Sequence, residues 1–345
     1  MLPMGRSSTW DILNNGRPKR RWLRRLGWAV ALLLAPFLTL VVVAEVYFRH
    51  VPYTIHPDDA VTPQQGKVGE GLWIRYLGVS GYEVSDGTTT ILLDPTATRP
   101  RPTELLLPLA SDPLLEEPLC PRADFILVNH PHHDHSLDVA AIAKRTGAEV
   151  YGSTSTCNLA RSRGVDAAKT HPVEPGDELT LGSFTVTVGE AKHVPILGMD
   201  PPFAGEVSPE AGALWFWQFG LDETISFHLQ SAGGASLWFH PTVLYEQGEL
   251  RELKADALIY GINGEPLRAE RTKAIVEASG AGLVLPTHYD NFMQPLNAGL
   301  ALFPGVDVET FRRHMKSYNR EHEAGEVRWA VLDYGQRVFV PHPAP

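Results

Sequence analysis

Four histidines and an aspartate fall between positions 130 and 135, inside the run NHPHHDHSLD. Imidazole nitrogen and carboxylate oxygen are the donors that suit a borderline divalent ion such as zinc. The spacing His-x-His-x-Asp-His gives the cluster a geometry. At the end of a strand alternate side chains point the same way, so His130 and His132 can grip one ion. The turn that follows then carries Asp134 and His135 toward a second. An ion held in this way lowers the pKa of a bound water from about 15.7 toward 7 and polarises a carbonyl or phosphoryl oxygen. The chemistry is metal-assisted hydrolysis, with Asp134 in the catalytic set. A solvent-exposed histidine-rich loop is the bland alternative. Against it, the run follows an apolar segment, sits mid-chain and has further histidines downstream.

The elements that must position the cluster alternate between short apolar runs and helices. ADFILVNH, just before it, is nearly continuous in apolar residues, as a strand buried on both faces is. Upstream, LWIRYLG, GYEV and TTILLD read as strands, with Asp86-Gly87 as a hairpin signal between the last two. LDVAAIAKRTG reads as a helix stopped by Gly147, EVYGS as a strand and the segment up to Gly164 as a helix. A second β-rich series follows: LTLGSFTVTVGEA as a hairpin, then ALWFWQF, TISFHLQ, SLWFHP and DALIYGI as strands. Residues 269–279 read as a helix, LVLPTH as a strand, VETFRRHMKSYNR as an amphipathic helix, and VRWAVLD and QRVFV as closing strands. Two such series imply two sheets face to face with helices outside.

His-x-His-x-Asp-His behind a buried strand resembles the signature of the metallo-β-lactamase superfamily, over roughly residues 70–340. The resemblance implies a four-layer αββα sandwich, with one or two metal ions at the edge between its sheets. It also supplies landmarks to seek one at a time. Asp94 in TILLDP would orient site elements without binding metal, although an Asp-Pro turn alone would look the same. His193 in VTVGEAKH would join His130 and His132 on the first ion, and His288 in LVLPTHYDNF would join Asp134 and His135 on the second. The family's bridging aspartate is absent. SLWFHP presents His240 at that place, as a ligand of the second ion, as a proton donor or substrate contact, or as an ordinary histidine in a strand-end turn. His133, His171 and His228 are given no role. LWIRYLGVSGYEVSDGTTTILLDPTATRP and residues 286–292 further resemble the branch that includes ascorbate-6-phosphate lactonase and N-acylphosphatidylethanolamine phospholipase D. In that branch's opening turn, Val79 stands where a histidine is usual.

Charge bounds the partners. Residues 1–26 carry seven basic groups against Asp11; of 30 basic and 40 acidic residues in all, 23 and 39 lie beyond, a formal charge of −16. So acidic a body has no footprint for a polyanionic backbone, and no nucleic-acid partner is expected. Residues 27–44 are apolar without a charge, long enough to cross a bilayer, and follow an arginine-rich flank. We therefore expect a basic cytoplasmic segment over 1–26, a transmembrane anchor over 27–48 and a linker over 49–69. A hydrolase domain over 70–345 is then extracytoplasmic. A signal peptide cleaved near Ala44 is the rival reading. Cys120 and Cys157 read as buried free thiols. The function expected is a membrane-anchored, zinc-dependent hydrolase of an ester, lactone, amide or phosphodiester, with other divalent ions as options. A small molecule or lipid-like compound would be its substrate, with Trp215, Phe216, Trp217 and Phe203 as an apolar mouth or as core. The alternatives are a non-catalytic metal-binding protein on the same fold and an iron-dependent redox protein.

Overall fold

The computed structural model describes residues 21–59, 66–67, 69–196, 198–245, 253–322 and 326–343. Residues 1–20, most of the expected cytoplasmic segment, lie outside them. The chain divides into two compact units, one ending at Tyr47 and one beginning at Phe48. The first is described by a single helix, α1 (Arg21–Tyr47). At 1.5 Å per residue its 27 residues run about 40 Å. Pro36 lies inside the helix, and the Thr39 hydroxyl bonds the Ala35 carbonyl.

The second unit has fourteen described strands: β1 (Gly71–Gly78), β2 (Gly81–Ser85), β3 (Thr90–Leu93), β4 (Phe125–Leu127), β5 (Glu149–Gly152), β6 (Thr170–Pro172), β7 (Glu178–Leu181), β8 (Phe184–Glu190), β9 (Ile225–Ser231), β10 (Ser236–His240), β11 (Ala257–Gly261), β12 (Leu283–Thr287), β13 (Arg328–Trp329) and β14 (Arg337–Pro341). They form two seven-stranded sheets, ordered β14-β1-β2-β3-β4-β5-β6 and β13-β12-β11-β10-β9-β8-β7. The helices are α2 (Pro113–Leu119), α3 (His133–Ser136), α4 (Val139–Thr146), α5 (Thr154–Ser162), α6 (Ala269–Ser279) and α7 (Val308–Glu321).

Strand alternation builds the layers. In the parallel trio β3, β4 and β5, Ile91, Leu93, Leu127 and Tyr151 join one core shared with the second sheet. Leu92, Ile126 and Val150 take the opposite face and pack with Ile142 and Ala143 of α4 and Ala160 of α5. On the far side, Ile275 and Val276 of α6 and Phe311 and Met315 of α7 join the shared core over the second sheet. Helix, sheet, sheet, helix: the expected four layers are present in this unit. The expected strands recur closely, and α4 stops at Gly147 in the left-handed conformation (φ 82°), as the glycine implied. Cys120 and Cys157 are buried free thiols.

Three expectations change. ALWFWQF is not a strand; Phe216–Gln218 is a single 3-10 turn, and the Trp217 side chain is 46% exposed. β4 spans only three residues, so His130 and His132 lie beyond the strand rather than alternating on it. The expected linker is tied to the domain over its first part. Tyr53 N–H bonds the Leu300 carbonyl, Pro52 bridges Ala301, and Trp329 donates its indole N–H to the Asp59 carboxylate.

Candidate metal centre

Each expected site residue follows the carboxyl end of a strand: Asp94 after β3, the histidine cluster after β4, His193 after β8 and His288 after β12, while His240 closes β10. The fold brings six of them together as two groups. His130, His132 and His193 form one, and Asp134, His135 and His288 the other; in each, the donor atoms lie within 4.8 Å of one another. The groups adjoin, with the His130 and His135 ring centroids 3.9 Å apart.

In the first group three imidazoles stand edge to face, every pair of ring centroids 4.7 Å apart. His130 Nε2 and His132 Nδ1 face each other at 3.1 Å. Partners on the far ring nitrogens fix this aim: His130 Nδ1 meets the Asn129 amide oxygen at 2.6 Å, and His193 Nδ1 meets the Val194 carbonyl at 2.7 Å. Burial, then the neighbouring histidines, pushes His130 well below the usual imidazole range, and burial first brings His132 down to about 3. Burial also lowers His193 to about 4, against the pull of its Val194 bond. Neutral imidazoles with converging lone pairs are what a divalent ion needs. Nitrogen ligands about 2.0–2.1 Å from a tetrahedral ion stand about 3.4 Å apart, close to the separation found here.

The second group mixes one carboxylate with two imidazoles. Asp134 Oδ2 lies 3.3 Å from His288 Nε2 and 3.8 Å from His135 Nε2. Burial pushes the Asp134 carboxyl up, but His135, His288 and His133 outweigh it and hold the group well below its usual range. His135 is pressed down by burial, yet Asp94 and Asp134 raise it. The Asp94 carboxylate is fully buried and spans both halves of the motif. One oxygen accepts the Asn129 N–H at 2.6 Å, and the other meets His135 Nδ1 at 2.6 Å. It therefore orients the cluster, as the resemblance implied, and its backbone (φ 41°) is left-handed to do so. Ser80 Oγ adds a second contact to His135 Nδ1 at 2.9 Å. The side-chain amide of Asn263 lies 3.1 Å from His288 Nδ1.

His240 is in neither group. Fully buried, it turns Nδ1 to the Thr242 carbonyl at 3.1 Å and packs against Trp238. His133 sits among Phe216, Phe219 and Phe292, and burial lowers its pKa. A cavity of about 420 Å³ opens beside the first group. His193 is the one member of the two groups in its wall, alongside Lys192, Asp200, Pro201, Leu221, Glu223 and Glu265. The apolar side of the site is Phe203, 5.9 Å from His132, and Phe216 beyond it.

Residue types alone did not single out Asn129, Ser80, Asn263 or Asp290. Asn129 had one signal, a polar residue ending a buried apolar run directly before the motif. Its amide nitrogen donates to the Ile225 carbonyl at the start of β9, so it also joins the two sheets.

Residues 89–289, more than half of the chain and all six residues of the two groups, match the model of the Beta-lactamase superfamily domain. The chain belongs to the metallo-β-lactamase superfamily. Among relatives of this superfamily member, a UPF0173 metal-dependent hydrolase of Carboxydothermus hydrogenoformans is 34% identical over 133 residues, 37% of this chain and 50% of the relative. The match thus spans about half that relative's length. Another UPF0173 metal-dependent hydrolase, from Oenococcus oeni, is 24% identical over 259 residues, 68% of this chain and 98% of the relative. The same metallo-β-lactamase architecture is seen in the crystal structure of a possible metal-dependent hydrolase of Veillonella parvula. Its TM-score is 0.52 at 14% identity, over 78% of this chain and all of that one.

Proposed function

We propose that this metal-dependent hydrolase of the metallo-β-lactamase fold works with one or two zinc ions on an ester, lactone, amide or phosphodiester. His130, His132 and His193 would hold the first ion, and Asp134, His135 and His288 the second. The observation that carries the reading is the convergence of six donors into two adjoining groups. A divalent ion there supplies a Lewis acid and acidifies coordinated water toward neutral pH. The protein's own part is orientation. Asn129 and the Val194 carbonyl aim His130 and His193, and Asp94 aims His135. Asp134 is held ionised between His135 and His288, the state in which a carboxylate can hold a metal ion. The glycine-rich opening of β1 to β3 and residues 286–292 support kinship with the lactonase and phospholipase D branch.

The same proposal places α1 in a bilayer as an uncleaved anchor, with the N-terminus cytoplasmic and the hydrolase domain on the other side. Residues 22–47 are apolar enough to span, and none of the apolar window is buried. A substrate with a lipid-like part fits that location.

The test is metal content by mass spectrometry on the full chain, purified without a histidine tag, beside turnover of aryl esters, lactones and an aryl phosphodiester. Close to two ions, falling in His132→Ala together with all turnover, is the expected outcome. Full activity in His132→Ala would sink the reading. Bound metal with no turnover across the panel would favour the non-catalytic alternative.

A further inference from the structure

Phe48, where the domain begins, and the metal centre are closer in the fold than in the sequence. Phe48, the first residue after α1, packs its ring on Phe303 at 5.4 Å. Phe303 stacks on Phe292 at 4.7 Å, and Phe292 lies 5.5 Å from His288. The Phe48 carbonyl is clamped by two side-chain amides, Asn291 at 3.0 Å and Gln294, both on the loop that follows His288. Phe48 is thus fixed to the loop that carries His288.

The domain also leaves apolar side chains uncovered. Among its described residues the exposed large hydrophobics are Val51 (56%), Leu106 (48%), Leu107 (63%), Leu114 (83%) and Trp217 (46%). Two of the stretches that carry them, around residues 105–109 and 214–219, are joined by the bridge between Leu109 and Leu214. Leu105 packs against two clusters, that of Val79, Phe292 and Met293, which Phe48 and Phe303 also flank, and that of Leu109, Leu214 and Phe219, which Phe216 also flanks. Leu106, Leu107 and Trp217, next in sequence to Leu105 and Phe216, therefore flank the aromatic side of the metal centre.

Given the reading of α1 as an anchor, on which this rests, we infer that Leu106, Leu107 and Trp217 dock on the surface of the bilayer that holds α1. They would turn the mouth of the metal centre toward it. The argument is one of connectivity. A single peptide bond separates Phe48 from α1, and Phe48 is held against the domain, so this face cannot stand far from the point where the helix leaves the hydrocarbon. Exposed leucines gain by entering the acyl boundary, and tryptophan prefers the headgroup level. The substrate so favoured is an amphiphile with a cleavable polar bond, taken from the interface.

The experiment uses the full chain in phosphatidylcholine vesicles, with a maleimide fluorophore at Leu107→Cys, Trp217→Cys or, on the outer strand of the second sheet, Glu178→Cys. Cys120 and Cys157 are buried, so the introduced thiol takes the label. Nitroxide-labelled acyl chains should cut emission at 107 and 217 by about twofold or more and leave 178 within about a tenth, as shallow insertion of one face requires. The double variant Leu106→Glu/Leu107→Glu should stay in the vesicles through a carbonate wash and lose the quenching at 217. Retention with equal quenching at all three sites would overturn the docking face and leave the anchor standing. Release of the unaltered chain by the wash would overturn both.

Discussion

Asn129 and Asp94 show how few groups aim the histidine cluster. Each has two polar side-chain atoms, and each spends one on a ligating imidazole and one on the backbone of the other sheet or loop. An imidazole free to rotate loses its ion, so residues bonded to the non-ligating nitrogen raise affinity without touching metal. Asn129→Ala should therefore weaken metal binding to the first group by about 10–100-fold, read by competition with a chelator of known affinity. An unchanged affinity would mean that packing alone holds His130. The departure of Val79 from a histidine is instructive at the same scale. Val79 is left-handed (φ 56°), as is His288 (φ 61°), and the His288 N–H bonds the Val79 carbonyl at 2.7 Å. Backbone, not the side chain at 79, makes the contact to the second group.

Strands deliver these residues, and their pairing decides where. β3 and β4 run parallel, as do β10, β11 and β12, so the ends that carry Asp94, the cluster and His288 are all carboxyl ends. The loop after β3 is held by Asp138, whose buried carboxylate accepts from the Ala97 and Thr98 N–H groups and from the Thr98 and Ser111 hydroxyls. On the second sheet, β9 carries His228, given no function from sequence. Its Nε2 meets the Lys254 carbonyl at 2.7 Å, and burial lowers its pKa more than that bond raises it. Unfolded, the ring binds a proton near pH 6.5; folded, it waits for a lower pH. The unfolded chain thus holds more protons in that window, and stability falls as pH drops from about 6.5 through the folded pKa. Unfolding curves between pH 7 and 5 should slope more steeply for the native chain than for His228→Gln. Parallel curves would show that burial does not perturb this histidine.

Across the whole domain one buried ion pair joins parts far apart in sequence. Arg99 and Asp290, both fully buried, meet at 2.6 Å. Asp290 also accepts from Tyr76 on β1, from the Val79 N–H and from Tyr334 before β14. The pair therefore fastens the first sheet to the loop after His288 and to the C-terminal segment. Removing one partner leaves a desolvated charge, so Arg99→Met should cost about 3–5 kcal/mol in urea unfolding. Arg99→Met/Asp290→Leu should cost less than the two single changes summed. Additive costs would mean that the two groups act independently.

The six candidate metal-binding residues, the four layers and the long apolar helix were legible in the sequence because each is written locally. Donor types cluster at a strand end, apolar residues repeat with period two or 3.6, and α1 is one uninterrupted run. Other features needed the folded chain. His240 stood where a ligand was expected, and only packing against Trp238 and the turn to Thr242 placed it outside both groups. The aromatic run at 215–217 had strand composition, yet it closes a 3-10 turn, because Trp215 and Gln218 bond to one another across it. Likewise the roles of Asn129, Asn263 and Asp290, and the nearness of Phe48 to His288, depend on contacts between residues as far as 243 and 246 positions apart. Periodicity and spacing report what a segment can do by itself; which distant segment meets it is decided by how two sheets close over one core.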